Sequence, residues 1–399
     1  MLDVVAGSTM ASGAIEVLSG ATATSGASAQ GGISTARVGS SQVTTDTLLL
    51  DAAASAVGGT SATGGIAELI GLTGGTLQAD SVVMLTGAIE ASGNLAGQAA
   101  IAVTGATFDF TALEINSVAS EGGAATSLGA DNGRILIRST ADIQSTGDVE
   151  VTAINGALIG GPTVSDPTAS INIFTPGTIS FAGNNDNAIS FGGALVTLTS
   201  SDLDIGAGAR IGGVTVELVS LGTEGPAILG GTAQGPGYTL TAAEIERIEA
   251  GEATFIAPLL DQSGQNDPDL ILRDMFLSGS LDDGTSRITV RTPGIIRVEG
   301  VVAYVDTVAE DRLIIEAGER IEIVTPGGIG VLGPNDAPGG ALVLSAGDIW
   351  AADADTISRL RANPNFDGRN DLLATAASGS DDPLGYLRAG SMQLIAVLA

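Results

Sequence analysis

The sequence predicts an all-β protein, a right-handed parallel β-helix (β-solenoid) with two short helical insertions. The leading observation is a recurring phrase in which two bursts of alternating apolar residues flank a small-residue turn. It reads ITVRTPGIIRV from Ile288 to Val298, LIIEAGERIEIV from Leu313 to Val324, and ALVLSAGDIWA from Ala341 to Ala351. One such unit is too short to bury its own apolar face, so stability has to come from stacking successive units. Glycine is the second observation: 58 of 399 residues, about twice the share in an ordinary soluble chain, which implies frequent turns. The third is an apolar content of 44% with only 3% aromatic residues, a supply that suits a long, thin aliphatic core.

The elements follow in order along one continuous solenoid segment, residues 1–399. Residues 1–130 read as coils built from Gly, Ala, Ser and Thr. Short apolar runs at Ile15 to Leu18, Thr47 to Leu50, Val82 to Leu85 and Ala100 to Val103 return roughly every 15 to 25 positions, which argues against disorder. Residues 131–350 read as regular coils. Strands are expected at Arg134 to Arg138, Asp148 to Ile154, Ser170 to Phe174 and Ala188 to Phe191. The best internal repeat sets Val196-Thr197-Leu198-Thr199-Ser200 against Val216-Glu217-Leu218-Val219-Ser220. With the glycine-joined strands of Asp202 to Ile211 between them, that shift of roughly 20 residues matches one coil of a parallel β-helix. At roughly 20 to 25 residues per coil the chain makes some 16 to 20 turns. The right hand follows from the bias of parallel crossover connections.

Two segments break the strand pattern. Thr241-Ala242-Ala243-Glu244 is a capping-box signature that predicts a helix of two to three turns near 241–250, with Ile245 and Ile248 on one face and Gly251 as the stop. Asp355 to Asn363 predicts a second helix, with Asp355 as N-cap and Pro364 as terminator. It opens residues 351–399, read as a helix and loop insertion followed by a final coil.

Composition excludes much chemistry. The chain has no His and no Cys, and all 15 basic residues are Arg. Serine–histidine and cysteine–histidine nucleophile systems, the usual zinc sites, a lysine Schiff base and a P-loop lysine are therefore impossible within it. A net charge of −30 argues against nucleic acid or an anionic membrane surface as partner. Absence of cysteine suits an exported chain, because disulfide-closed loops would not thread a secretion pore. No run approaches the roughly 18 to 20 apolar residues that span a bilayer. Met1-Leu2-Asp3-Val4-Val5 has an acid where a signal peptide needs positive charge, and Met392 to Ala399 stops in mid-strand. The expectation is a piece of something longer, with the export signal elsewhere.

Carboxylate chemistry survives the exclusions. Asp202 and Asp204 share a strand face at i and i+2, and Asp282 adjoins Asp283; either pair is a candidate acid and base for a glycosidase or lyase. Against this, Asp beside Gly is what a turn selects. Loop-bound calcium is a second possibility, at Asn184 to Asn187, Asn266 to Asp269 and Leu281 to Gly284, although no EF-hand or GGxGxD spacing is present. A Thr-x-Thr ladder is absent, since Thr197 and Thr199 meet Glu217 and Val219 one coil on. Asn363-Pro364-Asn365 is superficially like an NPN secretion motif but follows a helix late in the chain. Trp350, Tyr238, Tyr304 and Tyr386 are too scattered for a sugar-stacking platform. The reading assigns no catalytic, cofactor-binding or metal-ligating residue.

Ala341-Leu-Val-Leu-Ser-Ala-Gly-Asp-Ile-Trp350 resembles the LxLxAGDI-type repeat of filamentous-haemagglutinin-like exoproteins, the β-helical adhesins exported by two-partner secretion or as autotransporter passengers. Glu316-Ala317-Gly318-Glu319-Arg320-Ile321 is a weaker copy, and Thr239 to Ile245 resembles a related rung start. The resemblance covers about Ala188 to Ala351. It implies a non-enzymatic, secreted or cell-surface shaft or passenger segment acting in adhesion, aggregation or biofilm contact. It further implies an extracellular or outer-membrane-attached location on a Gram-negative bacterium. The implied partners are host or bacterial surface glycans or proteins, or self-association; nucleic acid is excluded by charge. The competing expectation is a carbohydrate-active β-helix enzyme that uses carboxylates.

Overall fold

Alternation of apolar and polar residues places one side of most described strands inward, and stacked parallel strands form the core. The computed structural model describes residues 1–399 apart from 6, 25, 92, 162–167, 184–188, 223–224, 233–236, 261–266, 279–285, 335–338, 353, 362–386, 389–390 and 397–399. The fold is all-β and solenoid-like, made of stacked parallel sheets, with two short helices among the described residues. It divides into two units, Met1–Val214 and Thr215–Ala399.

In the first unit the chain visits each of two principal sheets once per coil. One sheet stacks Leu2–Val5, Ile33–Gly39, Ile66–Leu72, Gln98–Thr104, Thr126–Asp131, Val149–Ile154, Thr178–Gly183 and Asp202–Ile205 in that order. The other stacks Thr9–Leu18, Gln42–Asp51, Thr76–Leu85, Thr107–Ser117, Arg134–Ser145, Ser170–Phe174 and Leu195–Ser200. In-register pairing lines up Val17, Leu50, Met84, Ile115, Ile143, Ile173 and Leu198 as one inward column. None of these side chains exceeds 8% exposure. Burying a side chain of this size contributes about 1.5–3 kcal/mol, so the column is a main source of cohesion between rungs.

The first coils are longer than the sequence pattern implies. Thr9 pairs with Gln42, Gln42 with Thr76 and Thr76 with Thr107, so each of these turns of chain exceeds the upper end of the expected length by about a quarter to a third. Farther on, Thr126 pairs with Val149 and Ser170 with Leu195, which are coils of the expected length. The shorter shift read from the internal repeat appears where Val214 N–H donates to the Ala194 carbonyl, 3.0 Å. One corner recurs on successive coils as a left-handed residue: Gly7, Ser40, Gly74, Gly105, Asn132 and Asn155 all have φ between 46° and 77°. Such a φ suits Gly and, among other residues, chiefly Asn. From Gly7 to Asn132 each donates its N–H to the next coil, as Gly7 does to Ser40 at 2.8 Å.

The extra length of the first coils goes into a fin. Ala21–Thr24, Ala54–Gly59 and Ala88–Ala91 form one small sheet, and Ser28–Gln30, Ser61–Thr63 and Asn94–Leu95 another. Between them lies a core of alanine alone: Ala29, Ala54, Ala56, Ala62, Ala88, Ala96 and Ala119. Its neck is pinched within each coil by hydrogen bonds from Gly32 N–H to Ser19 O, Gly65 N–H to Ala52 O and Gly97 N–H to Thr86 O, at 2.7–2.8 Å. A Cβ on Gly64 would stand 1.8 Å from the Thr86 carbonyl oxygen, and one on Gly31 2.0 Å from that of Ala52, so only glycine lets the two sides meet.

In the second unit each expected phrase is a strand, a bend and a strand. Arg287–Thr292 is followed by Ile295–Val305, Arg312–Ala317 by Arg320–Val331, and Ala341–Ala346 by Asp348–Ala352. First members stack on one another, as do second members. The first helix has the expected capping box: Glu244 N–H donates to Thr241 Oγ1 and Thr241 N–H to Glu244 Oε2. It is only Ala242–Ile245, because Ile248 already belongs to the strand Ile248–Ile256 that pairs with Arg287–Thr292. The second helix is Ala354–Arg361, one residue earlier than expected, so Asp355 lies in its first turn rather than at the N-cap. Pro364 and the Asn363-Pro364-Asn365 stretch lie outside the described residues.

Candidate functional site

Of the acid pairs singled out in the sequence, the described residues include one. Asp202 and Asp204 do project from the same face of Asp202–Ile205, on either side of buried Leu203. Their register partners one coil back are Thr178 and Ser180, so the adjoining rung supplies no second acid to either. Asp282 and Asp283, the Asn184 to Asn187 stretch and Leu281 to Gly284 lie outside the described residues. Among the described residues no three His, Cys, Asp or Glu side chains form a group able to hold a metal ion.

In the remaining calcium candidate, Asn266 to Asp269, Asn266 lies outside the described residues and Asp269 caps backbone donors. Asp267 is exposed, whereas Asp269 is 4% exposed and both of its oxygens serve the backbone. Oδ1 accepts from Leu260 N–H at 2.7 Å and Oδ2 from Ile295 N–H at 2.6 Å. The carboxylate occupies the space beside Gly294, where a Cβ would come within 1.9 Å of Oδ2. Here lies the reason for glycine in the T-P-G bend, whose Thr292 Oγ1 also accepts from Gly294 N–H at 3.3 Å. Other acids do similar work. Asp51 accepts from Ala53 N–H, Asp148 from Thr178 N–H and Asp311 from Val308 N–H, each at 2.8–2.9 Å.

Sequence alternation missed a charged ladder in the second unit. Ile321 and Ile323 fill the interior, so Glu322 faces outward, yet it is 0% exposed. The second helix packs against the same strand and buries Ile357. Glu322 accepts from Arg320 Nε at 2.9 Å and from Arg297 Nε at 3.1 Å. The ladder continues through Glu299, which accepts from Arg273 Nη2 at 2.6 Å. The Arg320 guanidinium lies 4.0 Å from the ring centroid of Trp350, the register neighbour of Glu322. Opposite charges buried in contact offset one another's desolvation, and the ring face adds cation–π attraction. This cluster joins rungs and holds the helix side of the sheet; its carboxylate is already engaged by two guanidinium groups.

Polar aromatic rings are interior. Tyr238, Tyr304 and Trp350 are at most 4% exposed, while Tyr386 lies outside the described residues. Burial, with the nearby Asp311 charge, pushes the Tyr304 phenol above its ordinary pKa, so it stays protonated in the working pH range. Phe174 and Phe276 are partly exposed, at 43% and 48%.

No described helix is long and apolar enough to cross a membrane. No family model matches the chain, and neither a curated protein nor a solved structure matches it. What the geometry defines is a fold class, a solenoid-like stack of parallel sheets.

Proposed function

We propose that this chain is a non-enzymatic shaft or passenger segment of a secreted or surface-attached exoprotein, wound as a right-handed parallel β-helix and acting in adhesion, aggregation or biofilm contact. The supporting observation is the use made of its acids. Asp269, Asp51, Asp148 and Asp311 cap backbone N–H groups at bends, and Glu322 is held by arginines. The resemblance motif serves the same end: Leu342, Leu344 and Ala346 point into the core, and Asp348 N–H donates to Glu319 O at 3.0 Å. A right hand accords with the bias of parallel crossovers. Binding on this reading comes from many weak contacts repeated along lateral faces, which give avidity without a single deep pocket. Partners are surface glycans or proteins, or further copies of the chain, outside a Gram-negative cell.

The test is incubation of the purified chain with acidic and neutral glycans, with and without calcium. The expected outcome is binding to glycans or cells with no new reducing ends or unsaturated products. Turnover abolished by Asp202→Asn or Asp204→Asn would establish the carbohydrate-active enzyme instead.

A further inference from the structure

The fin's neck carries a cleft on the side where the chain enters it. Its floor is Gly20, Ala53 and Gly87, stacked on successive coils, and its volume is about 660 Å³. A Cβ on Gly87 would stand 2.9 Å from the Val118 carbonyl oxygen, and one on Gly20 3.1 Å from that of Ala53, so small residues keep the floor low. The floor is stiff, because Ala21 N–H donates to Ala53 O, Ala54 N–H to Gly87 O and Ala88 N–H to Val118 O at 2.9–3.0 Å. One wall is the in-register row Leu18, Asp51, Leu85 and Asn116; Ile89 on the fin and Val118 complete the lining that matters here. Leu18 is 60% and Ile89 57% exposed, so the cleft presents apolar surface to a ligand.

We infer that this cleft binds a small amphiphilic cation, an ammonium group on an apolar body. Volume places it within the roughly 300–1,000 Å³ range of small-molecule sites, where apolar walls with a few polar groups are the rule. Charge decides the ligand's sign. Asp51 stands between Leu18 and Leu85, and no described arginine pairs with it. Ala53 N–H takes a single lone pair of its Oδ1, leaving further acceptor capacity for an ammonium. A net charge of −30 adds long-range attraction for a cation and repels an anion. Rungs are about 4.8 Å apart, so a head group at Asp51 leaves two rungs of wall, Leu85 with Ile89 and then Val118, for the apolar body.

The experiment is isothermal titration of the full chain with decylammonium, decanol and decanoate, each below its aggregation threshold. Decylammonium is expected to saturate at one equivalent, with decanol weaker and decanoate silent. Asp51→Asn retains an acceptor for Ala53 N–H and should weaken decylammonium about tenfold or more while leaving decanol unchanged. Ile89→Arg should abolish binding, whereas Val57→Arg, which makes the same charge change at a 52% exposed fin residue that does not line the cleft, should leave it intact. Circular dichroism checks that each variant is folded. Equal binding of decanoate, equal weakening by Val57→Arg and Ile89→Arg, or failure to saturate near one equivalent would overturn the inference.

Discussion

Removing the Asp269 carboxylate strands two backbone donors in the second unit, one buried and one half-buried. Leu260 N–H at 2.7 Å and Ile295 N–H at 2.6 Å lose their acceptor in Asp269→Ala, at a position 4% exposed to solvent. Each hydrogen bond to a charged group contributes about 1.5–3 kcal/mol, so the expected loss is about 3–6 kcal/mol. Asp269→Asn keeps one acceptor and turns an amide toward the other donor, and should lose about half as much. Urea unfolding followed by the fluorescence of Trp350, the single tryptophan, reads out the same unit. At a slope of about 2 kcal/mol per molar urea, the Ala variant's midpoint falls by about 1.5–3 M. Asp267→Ala, an exposed acid in the same loop, should change little, and calcium should restore nothing. If Asp267→Ala is as harmful as Asp269→Ala, or if calcium stabilises the wild type but not the variants, the loop is a metal site and the reasoning fails.

Other perturbations have equally definite outcomes. Leu218→Asp buries an unpaired carboxylate at a 2% exposed site and should destabilise by several kcal/mol, while Thr199→Asp at a half-buried outward site should be mild; equal thermal shifts would refute the inward assignment. Glu322→Ala leaves Arg297 and Arg320 without their shared partner and should cost about 3–5 kcal/mol, much more than the triple change to well-packed apolar residues, as chemical denaturation of both variants will show. Gly64→Ala forces a methyl to 1.8 Å from a carbonyl oxygen, so amide exchange in the fin should accelerate far more than for Ala27→Gly at its exposed tip.

What could be read in the sequence was what alternation encodes. Leu313-Ile314-Ile315 and Leu342-Val343-Leu344 are visible as strands because β-branched and aliphatic residues at period two have few other uses. The coils of residues 1–130 were legible as such, but their length and the fin escaped for a physical reason. Their corner needs only a positive φ, which Gly7, Ser40, Gly74, Gly105, Asn132 and Asn155 all supply, so the same conformation repeats without the same letter. Gly31-Gly32-Ile33 and Gly64-Gly65-Ile66, one coil apart, were the available signal, but alanine strands carry no contrast to frame them. Glu322 was invisible because alternation assigns it to solvent, whereas in the fold Arg297, Arg320 and the register neighbour Trp350 gather around it. Asp269 looked like a cation ligand since a carboxylate that caps two backbone donors has the same one-letter signature.

The ladder offsets bear on how the chain finds its fold. Almost every strand pairs with one a single coil away, as Gln42 does with Thr76 and Arg312 with Ala341. A separation of about 30 residues in a chain of this length is a relative contact order of roughly 0.08, in the range of helical bundles rather than β-sandwiches. Assembly therefore needs no distant segment to be present. Each finished rung offers an open edge on which a neighbour can condense, so order can spread like a zipper from whichever rung forms first, and a chain delivered progressively can fold behind its own leading tip.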